Sequence, residues 1–513
     1  MYDKSNLGTF LLIAHLIESK KSKGNKMNRK LKNFLNDEQV LNNISLYEGT
    51  ELENIFKVDI PEEYRPESQK WFRLPYFLVP FSSKDKLFRN NESDFMYENL
   101  VIDESGEKFY PFFIHPVTEK AYRSWIGDKY KFVEQKDSSF SCTPTSSVRT
   151  LLVKNEKNEK LFFVKLTLLN TFGGAFRKTD WESACNQFQA NEIVHNVLKD
   201  ESEVEFFEDI AALGIRNDTG FRISNKYDTD FGNRAFYVFG NVIRKVPESL
   251  LCDDGKIVCS FSSFTSLLRE NESYLSESLK NSKLNFDEYF CKYIFNPLKN
   301  YLLRQLLNHG VIFEPHCQNV LIELNENLIP TGKFLYRDFD SVSFDRLIFS
   351  IKHKNLMINY LQDALARTSL SANYGIRETL AISFFCHFMD DLINPCLISA
   401  VKSGIISSED KDVYIRKYYS EIKQDFKNLI PGCEEKLKII ESAWNNDMSF
   451  FVDMNMNEIR EKTIEIKDFD KEKYLRVLVN EPYYHNTKIY ALENNEVIFN
   501  TKEDKIFEVY LEK

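Results

Sequence analysis

The sequence predicts an α+β protein of several domains, with a β-rich centre and a largely helical C-terminal region. Three observations carry this. At 513 residues the chain is too long for one ordinary core. Its middle holds paired apolar runs of strand length joined by polar turns. After Ser341 the pattern is mainly helical to about residue 465. The expected divisions are residues 1–125, helical and mixed; 126–285, β-rich; and 286–513, helical around a polar loop and hairpin.

Composition narrows the class. Hydrophobic residues make up 43% and charged residues 28%, as in a soluble globular protein. The 43 Phe and 25 Tyr supply apolar area to bury. The net charge of −10 argues against non-specific nucleic-acid binding, which needs a basic surface. The nine cysteines are scattered without a CxxC pair. Reduced thiols in a cytoplasmic protein are the simplest reading. No stretch reaches the roughly 18 apolar residues of a membrane helix, so no membrane partner is expected. Leu7 to Ile17 reads as an amphipathic first helix, not a signal core, because no positive cluster precedes it.

Residues 1 to about 60 read as a solvated helical region, Lys-rich around Lys20 to Lys32. Pro61, Pro66, Pro75 and Pro80 make the next stretch irregular or extended. From Lys108 the chain is aromatic and β-like until His115-Pro116 breaks it. Asp180 to Leu198 reads as an amphipathic helix, and Phe231 to Pro247 as strands with a turn. Asn285 to Asn308 reads as a helix with Cys291, Phe295, Leu298, Leu302 and Leu306 on one face. Pro297 would start or kink it, with Asn296 as cap. Gly310 would end it. Cys386-His387 and Ile393 to Val401 read as core packing. The last 45 residues return to a β-like texture.

Two stretches carry chemistry. The first is SCTPTSSVRT (141–150), followed by LLV, the turn KNEKNEK, and LFFVKLTLLNT. This is a β-hairpin with a polar tip. Val164, Leu166 and Leu168 would share one face, and Lys165 and Thr167 the other. Lys165 is either a snorkelling surface group or a phosphate ligand. Arg149 and Arg177 bracket the hairpin, and Ser146 and Ser147 offer hydroxyls. Such a cluster suits a polyanion, because Arg grips carboxylates and phosphates bidentately.

The second stretch is HGVIFEPHCQNVLIEL, a polar turn, then KFLYRDFDSV (309–342). Glu314, His316, Gln318 and Asn319 fall within six residues. Two short β-rich runs follow, ending at Asp338, and a hairpin would bring Asp338 back to that loop. Oxygen ligands from Glu314, Asn319 and Asp338 suit magnesium shared with nucleotide phosphates. A polar loop before a solvated hairpin, with His316 structural, is the plain alternative.

With TPTSSVRT, Lys165, Arg177, HGVIFEPHCQN and YRDFDS in this order, the chain resembles the aerobactin-synthetase-like family of siderophore synthetases. These work without a non-ribosomal peptide synthetase. The resemblance spans roughly residues 105 to 345. It implies a hand-like architecture of thumb, fingers and palm over the three divisions above. It implies condensation of a carboxylate of citrate, or of a similar polycarboxylate, with an amine or alcohol. The nucleophile would be a polyamine, an amino acid or a hydroxylamine-type compound, and ATP and magnesium the cofactors. A homodimer is compatible with it.

Residue by residue, it implies that Ser147, Arg149 and Lys165 hold ATP phosphates. Glu314, Gln318, Asn319 and Asp338 would surround the nucleotide and its metal. Arg177 and His316 would bind the acid, and His115 would contribute to the substrate site. His316, Arg177 and Lys165 would be closest to the reaction. Arg244 resembles a family arginine. The chain departs from the pattern at Gly173-Gly174 and at Thr118. A small-molecule kinase fits Glu314, His316, Asn319, Leu321 and Asp338 in part, but lacks the TPTSSVRT segment. A relative that binds nucleotide or carboxylate without catalysis is the third reading.

Overall fold

In the computed structural model, the residues described are 27–42, 60–83, 86–90, 99–168, 171–172, 175–176, 179, 181–198, 201–216, 238–267, 272–339, 342–344 and 381–429, with 464–470, 473–479, 487–493 and 496–500 near the C-terminus. The fold is mixed α and β, as expected. The apolar run at 7–17 and the strand-like start at 231–237 lie outside the described residues.

A seven-stranded antiparallel sheet forms the centre. In spatial order its strands are Phe72–Arg73, Phe140–Pro144, Thr150–Asn155, Leu161–Lys165, Val238–Lys245, Asp209–Arg216 and Lys86–Asn90. Strands from both sides of residue 125 therefore share one sheet. The hairpin of 150–165 lies within it, its KNEK tip made of exposed polar residues. Val164 and Leu166 join one apolar cluster with Phe113, Phe140 and Ile243. Phe163, on the opposite face, joins another with Leu31, Phe34 and Phe207. Both faces of the strand are thus covered. Lys165 is 5% exposed, which corrects the snorkelling alternative.

A second sheet of four strands is ordered Val204–Phe206, Pro330–Tyr336, Val320–Leu324 and Ile257–Ser260. Its central pair, 320–324 with 330–336, is the hairpin read from the sequence. The strand 204–206 joins in parallel, and 257–260 antiparallel. A third sheet pairs 102–104, 107–113, 76–80 and 131–133. Of the prolines of 61–80, Pro61 caps one 3₁₀ turn, Pro66 opens a second, Pro75 lies between two extended strands and Pro80 ends the latter, all positions that a fixed φ allows. Residues 464–470, 473–479, 487–493 and 496–500 form a four-stranded antiparallel sheet.

The helices pack by spacing. Arg29–Asp37 starts on the Asn28 side chain, which accepts from Leu31 N at 2.8 Å. It buries Leu31, Phe34 and Leu35, and also Lys30 and Asp37. Lys30 reaches Glu323 and Asp254, each at 3.1 Å. Across 27–42 this corrects the solvated reading, residues 1–26 and 43–59 lying outside the described residues: an ion pair lets a lysine enter a core that composition alone would deny it. The helix expected at 285–308 begins at Phe286 under an Asn285–Glu288 capping box and runs to His309. It does not start at Pro297. A π-turn over Cys291–Phe295 comes just before Asn296-Pro297. The widened turn takes up a residue that has no N–H to give. Gly310 closes the helix at φ 67°, as expected.

Candidate active site

The site is built around Lys165. In the sheet register Lys165 lies between Thr150 and Val242, and Arg244 lies opposite Phe163 and Asp209. Lys165 and Arg244 therefore share a face. Helix Trp181–Leu198 covers that face with Gln187 and Asn191, one turn apart. Lys165 Nζ donates to Gln187 Oε1 at 3.0 Å and to Asp338 Oδ1 at 2.9 Å. Gln187 Nε2 donates to Asp209 Oδ2 at 2.8 Å, and Arg244 Nε to Asp209 Oδ1 at 2.6 Å. Asn191 brackets the Asp209 backbone with two more hydrogen bonds. Burial raises the Asp209 pKa despite the Arg244 charge beside it.

The loop 143–150 lies next to Lys165. Thr145 N and Oγ1 both donate to Thr150 O at 2.9 Å, closing the loop into a tight turn. Ser147 and Arg149 stand on it half-buried. Arg149 Nη1 donates to Thr179 Oγ1 at 3.2 Å. Thr179 is held in turn by Thr167.

The polar loop 314–319 enters from the second sheet. Asn319 is 4% exposed and its Nδ2 donates to Glu314 O at 3.3 Å, folding the loop on itself. Cys317 is buried with its Sγ turned toward Leu392 O. Glu314, His316 and Gln318 stay half-buried. Gln318 N donates to His316 Nδ1 at 3.1 Å. That fixes the tautomer: neutral His316 carries its proton on Nε2 and can donate from it. Burial lowers the His316 pKa although Glu314 opposes it.

Asp338 completes the cleft. Its φ is +75°, a conformation that side chains seldom adopt and that collects at functional sites. Arg337 holds it there, donating through N to Asn319 O at 3.0 Å and through Nε to Gln318 O at 2.8 Å. About a third of the Asp338 side chain is open, against 6% for Lys165. Burial pushes the Asp338 carboxyl up, but the charges of Lys165 and Arg244, with Arg149 behind them, hold it well below its usual range.

The structure thus gathers Lys165, Arg149 and Asp338 into one electrostatic group and sets the 314–319 loop against it. Arg177 and Gly173-Gly174 lie outside the described residues. His115 is fully buried, with its ring edge-on to Tyr64 and Phe72 and the Val148 backbone beside it. Its Nδ1 accepts from Val117 N at 3.3 Å.

Sequence reading missed three participants. Asp209 and Gln187 link Lys165 to Arg244; the signal was a polar pair, Gln187 and Asn191, at helical spacing among Ala184, Phe188 and Val194. His387 was read as packing. Its Nε2 lies 3.4 Å from Glu314 Oε1 and its Nδ1 3.0 Å from Asp391 Oδ2. Cys317 N also donates to Asp391 O at 3.0 Å. The signal was His-x-x-x-Asp, which puts both groups on one helical face.

Comparisons with known proteins bear on the fold. Residues 55–266 match the model of the IucA / IucC family. Residues 288–394 match that of the ferric iron reductase FhuF-like transporter family. No characterised protein matches the sequence significantly. Among solved structures, ATP-bound aerobactin synthetase IucA from a hypervirulent pathotype of Klebsiella pneumoniae aligns at TM-score 0.54 and 13% identity, over 74% of this chain and 68% of that one. Aerobactin synthetase IucC from the same source aligns at 0.52 and 13%, over 82% and 80%. The petrobactin biosynthesis protein AsbB from Bacillus anthracis str. Sterne aligns at 0.51 and 15%, over 83% and 71%. At these identities the likeness is one of fold. Residues 55–266 thus match the IucA / IucC family model, and the fold resembles that of the aerobactin synthetase structures.

Proposed function

We propose that the chain is an ATP-dependent siderophore synthetase acting on a carboxylate of citrate or a similar polycarboxylic acid. The observation that supports this best is the contact of Lys165 with Asp338. It joins a basic strand to an acidic loop end, as a site for a magnesium–triphosphate requires. In the first step a carboxylate oxygen of the acid attacks the α-phosphorus of ATP, and the bond to pyrophosphate breaks. In the second an amine or alcohol attacks the acyl carbon, the bond to AMP breaks, and the nucleophile loses a proton.

Both reactants of the first step are anionic, so the barrier is largely electrostatic. Arg149, Lys165 and Ser147 offset it along the phosphates, and Arg177 is assigned to the acid. His316, neutral with Nε2–H, donates to the oxygen on which charge develops. Holding the reactants in line supplies a further share.

The donors available to a metal are Glu314, Asn319 and Asp338, all oxygen ligands, with the thiol of Cys317 turned away. Magnesium takes one or two carboxylates and fills its shell with phosphate and water, so the set fits it. When bound, it would neutralise phosphate charge and polarise the α-phosphoryl group.

The test is the fate of ATP. Acid-dependent exchange of labelled pyrophosphate into ATP, AMP on adding an amine, and a hydroxamate with hydroxylamine are expected. ADP with a phosphorylated acceptor would mean a kinase. ATP binding without either product, over a broad panel of acids and amines, would mean a non-catalytic relative.

A further inference from the structure

The N-terminal helix reaches both halves of the cleft. At its end the α-helix gives way to a π-turn over Glu38–Asn42. Such turns are rare and recur at functional sites. Glu38 is 0% exposed and Gln39 3%. Gln39 Nε2 donates to Thr143 Oγ1 at 2.9 Å and to Pro144 O at 2.8 Å, where the 143–150 loop begins. The Glu38 carboxylate takes Arg337 Nη1 at 2.6 Å. The same guanidinium holds Gln318 O, and Arg337 N holds Asn319 O. Two adjacent side chains therefore grip the two loops that face each other across the site. Their own segment is pinned from behind. Tyr274 OH lies 3.3 Å from both oxygens of Asp37, and Ser263 Oγ donates to Asp37 O at 3.2 Å.

A buried ion pair is weak evidence of stabilisation, because desolvation offsets most of the attraction. What Glu38–Arg337 does secure is distance and direction. We propose that Glu38 and Gln39 are positioning residues that set the spacing of the 143–150 and 314–319 loops, and so the affinity for the nucleotide. Neither touches substrate; both act through residues that do. Shifts of about 1 Å at such loops cost up to about a hundredfold in rate.

The inference rests on the proposed ATP site, but its test reads binding, not turnover. ATP–magnesium affinity is measured by calorimetry on the full chain for wild type, Gln39→Ala, Glu38→Gln and Lys30→Met. Lys30 lies on the same helix and its ion pairs reach neither loop, so Lys30→Met reports general loosening of the helix. Gln39→Ala should weaken ATP binding about tenfold, and Glu38→Gln at least as much. Lys30→Met should lower the unfolding temperature yet bind ATP within about twofold of wild type. Equal loss of affinity in Lys30→Met and Gln39→Ala, or wild-type affinity in Gln39→Ala, overturns the inference. If Glu38→Gln does not fold, the comparison of Gln39→Ala with Lys30→Met decides. ATP binding without any product would sink the proposed function and leave the positioning role standing. No ATP binding by the wild type overturns both.

Discussion

Lys165 and Asp338 meet at 2.9 Å across 173 residues of sequence. One ends a strand of the seven-stranded sheet; the other follows the hairpin of the four-stranded sheet. Their contact is where the two sheets' functional groups become one site. It is also a contact that substrate must rearrange. A triphosphate offers Lys165 a second anion, and a metal offers Asp338 a second cation. Each group is held near its task by the other until then.

Removing either partner should therefore hurt twice. Lys165→Met takes from Asp338 the cation that lies 2.9 Å away, and Asp338→Asn takes the carboxylate from a buried lysine. A fully buried pair broken this way costs about 3–5 kcal/mol. With a third of Asp338 open to solvent, about 1–2 kcal/mol is expected. The double variant should regain most of that stability, because no unpaired charge remains. Activity should not return: each single variant and the double should lose at least about a hundredfold in kcat/KM. Asp338→Asn should also need more magnesium to reach half its own maximum, as should Glu314→Gln. Urea denaturation and magnesium titration check the two halves. A double variant as unstable as the sum of the singles would show that the pair does not couple.

His316 and His387 make different predictions, although both face Glu314. His316 donates from Nε2 in this geometry, so His316→Phe removes a donor and should lower kcat about a hundredfold to a thousandfold. His316→Gln keeps an N–H and should recover part of it. His387 acts through Glu314, anchored by Asp391 at 3.0 Å. His387→Ala should lower kcat/KM about tenfold while the affinity for the acid stays within about threefold. Asp391→Asn should follow it at smaller size. Steady-state kinetics at saturating ATP separates the cases. Wild-type kinetics in His387→Ala would return His387 to packing, as the sequence first suggested.

The parts of this architecture that were legible are those with local signatures. The hairpin at 320–336 announced itself by two apolar runs around Asn325, Asn327 and Gly332. The helix ending at His309 announced its end by Gly310. The site loop was legible because its functional groups are consecutive. What stayed hidden depends on contacts between distant segments. Nothing local says that Lys30 finds Glu323, or that Glu38 finds Arg337, so a charged N-terminal stretch reads as solvated. Lys165 was placed on the correct strand but not in the correct surroundings. Period 2 tells which face a residue is on, and only the tertiary fold tells that helix 181–198 covers it. His387 was hidden for the opposite reason: its neighbours Phe388 and Met389 are core, and burial of neighbours masks one polar residue pointing elsewhere.

His115 gives the last prediction, one of stability against pH. Its ring is wholly buried, with Nδ1 accepting from Val117 N and Nε2 completing no hydrogen bond. Burial pushes its pKa down to about 3, opposed by the Val148 backbone nearby. An unfolded chain titrates at about 6.5. The folded value is the depressed one, so its contribution is fully present above pH 6.5. Below that, the unfolded state takes a proton that the folded state refuses, and stability falls as pH drops toward 3. The slope is at most about 1.4 kcal/mol per pH unit. His115→Asn can still accept from Val117 N but does not titrate. It loses the edge contacts to Tyr64 and Phe72, so it should be less stable at pH 7.5. The gap to wild type should then narrow by about 1.6 kcal/mol between pH 6.5 and 5. Urea unfolding of both proteins at several pH values measures that gap. A gap that stays constant would mean that His115 is protonated in place or is reached by water, and that its burial is not what the fold maintains.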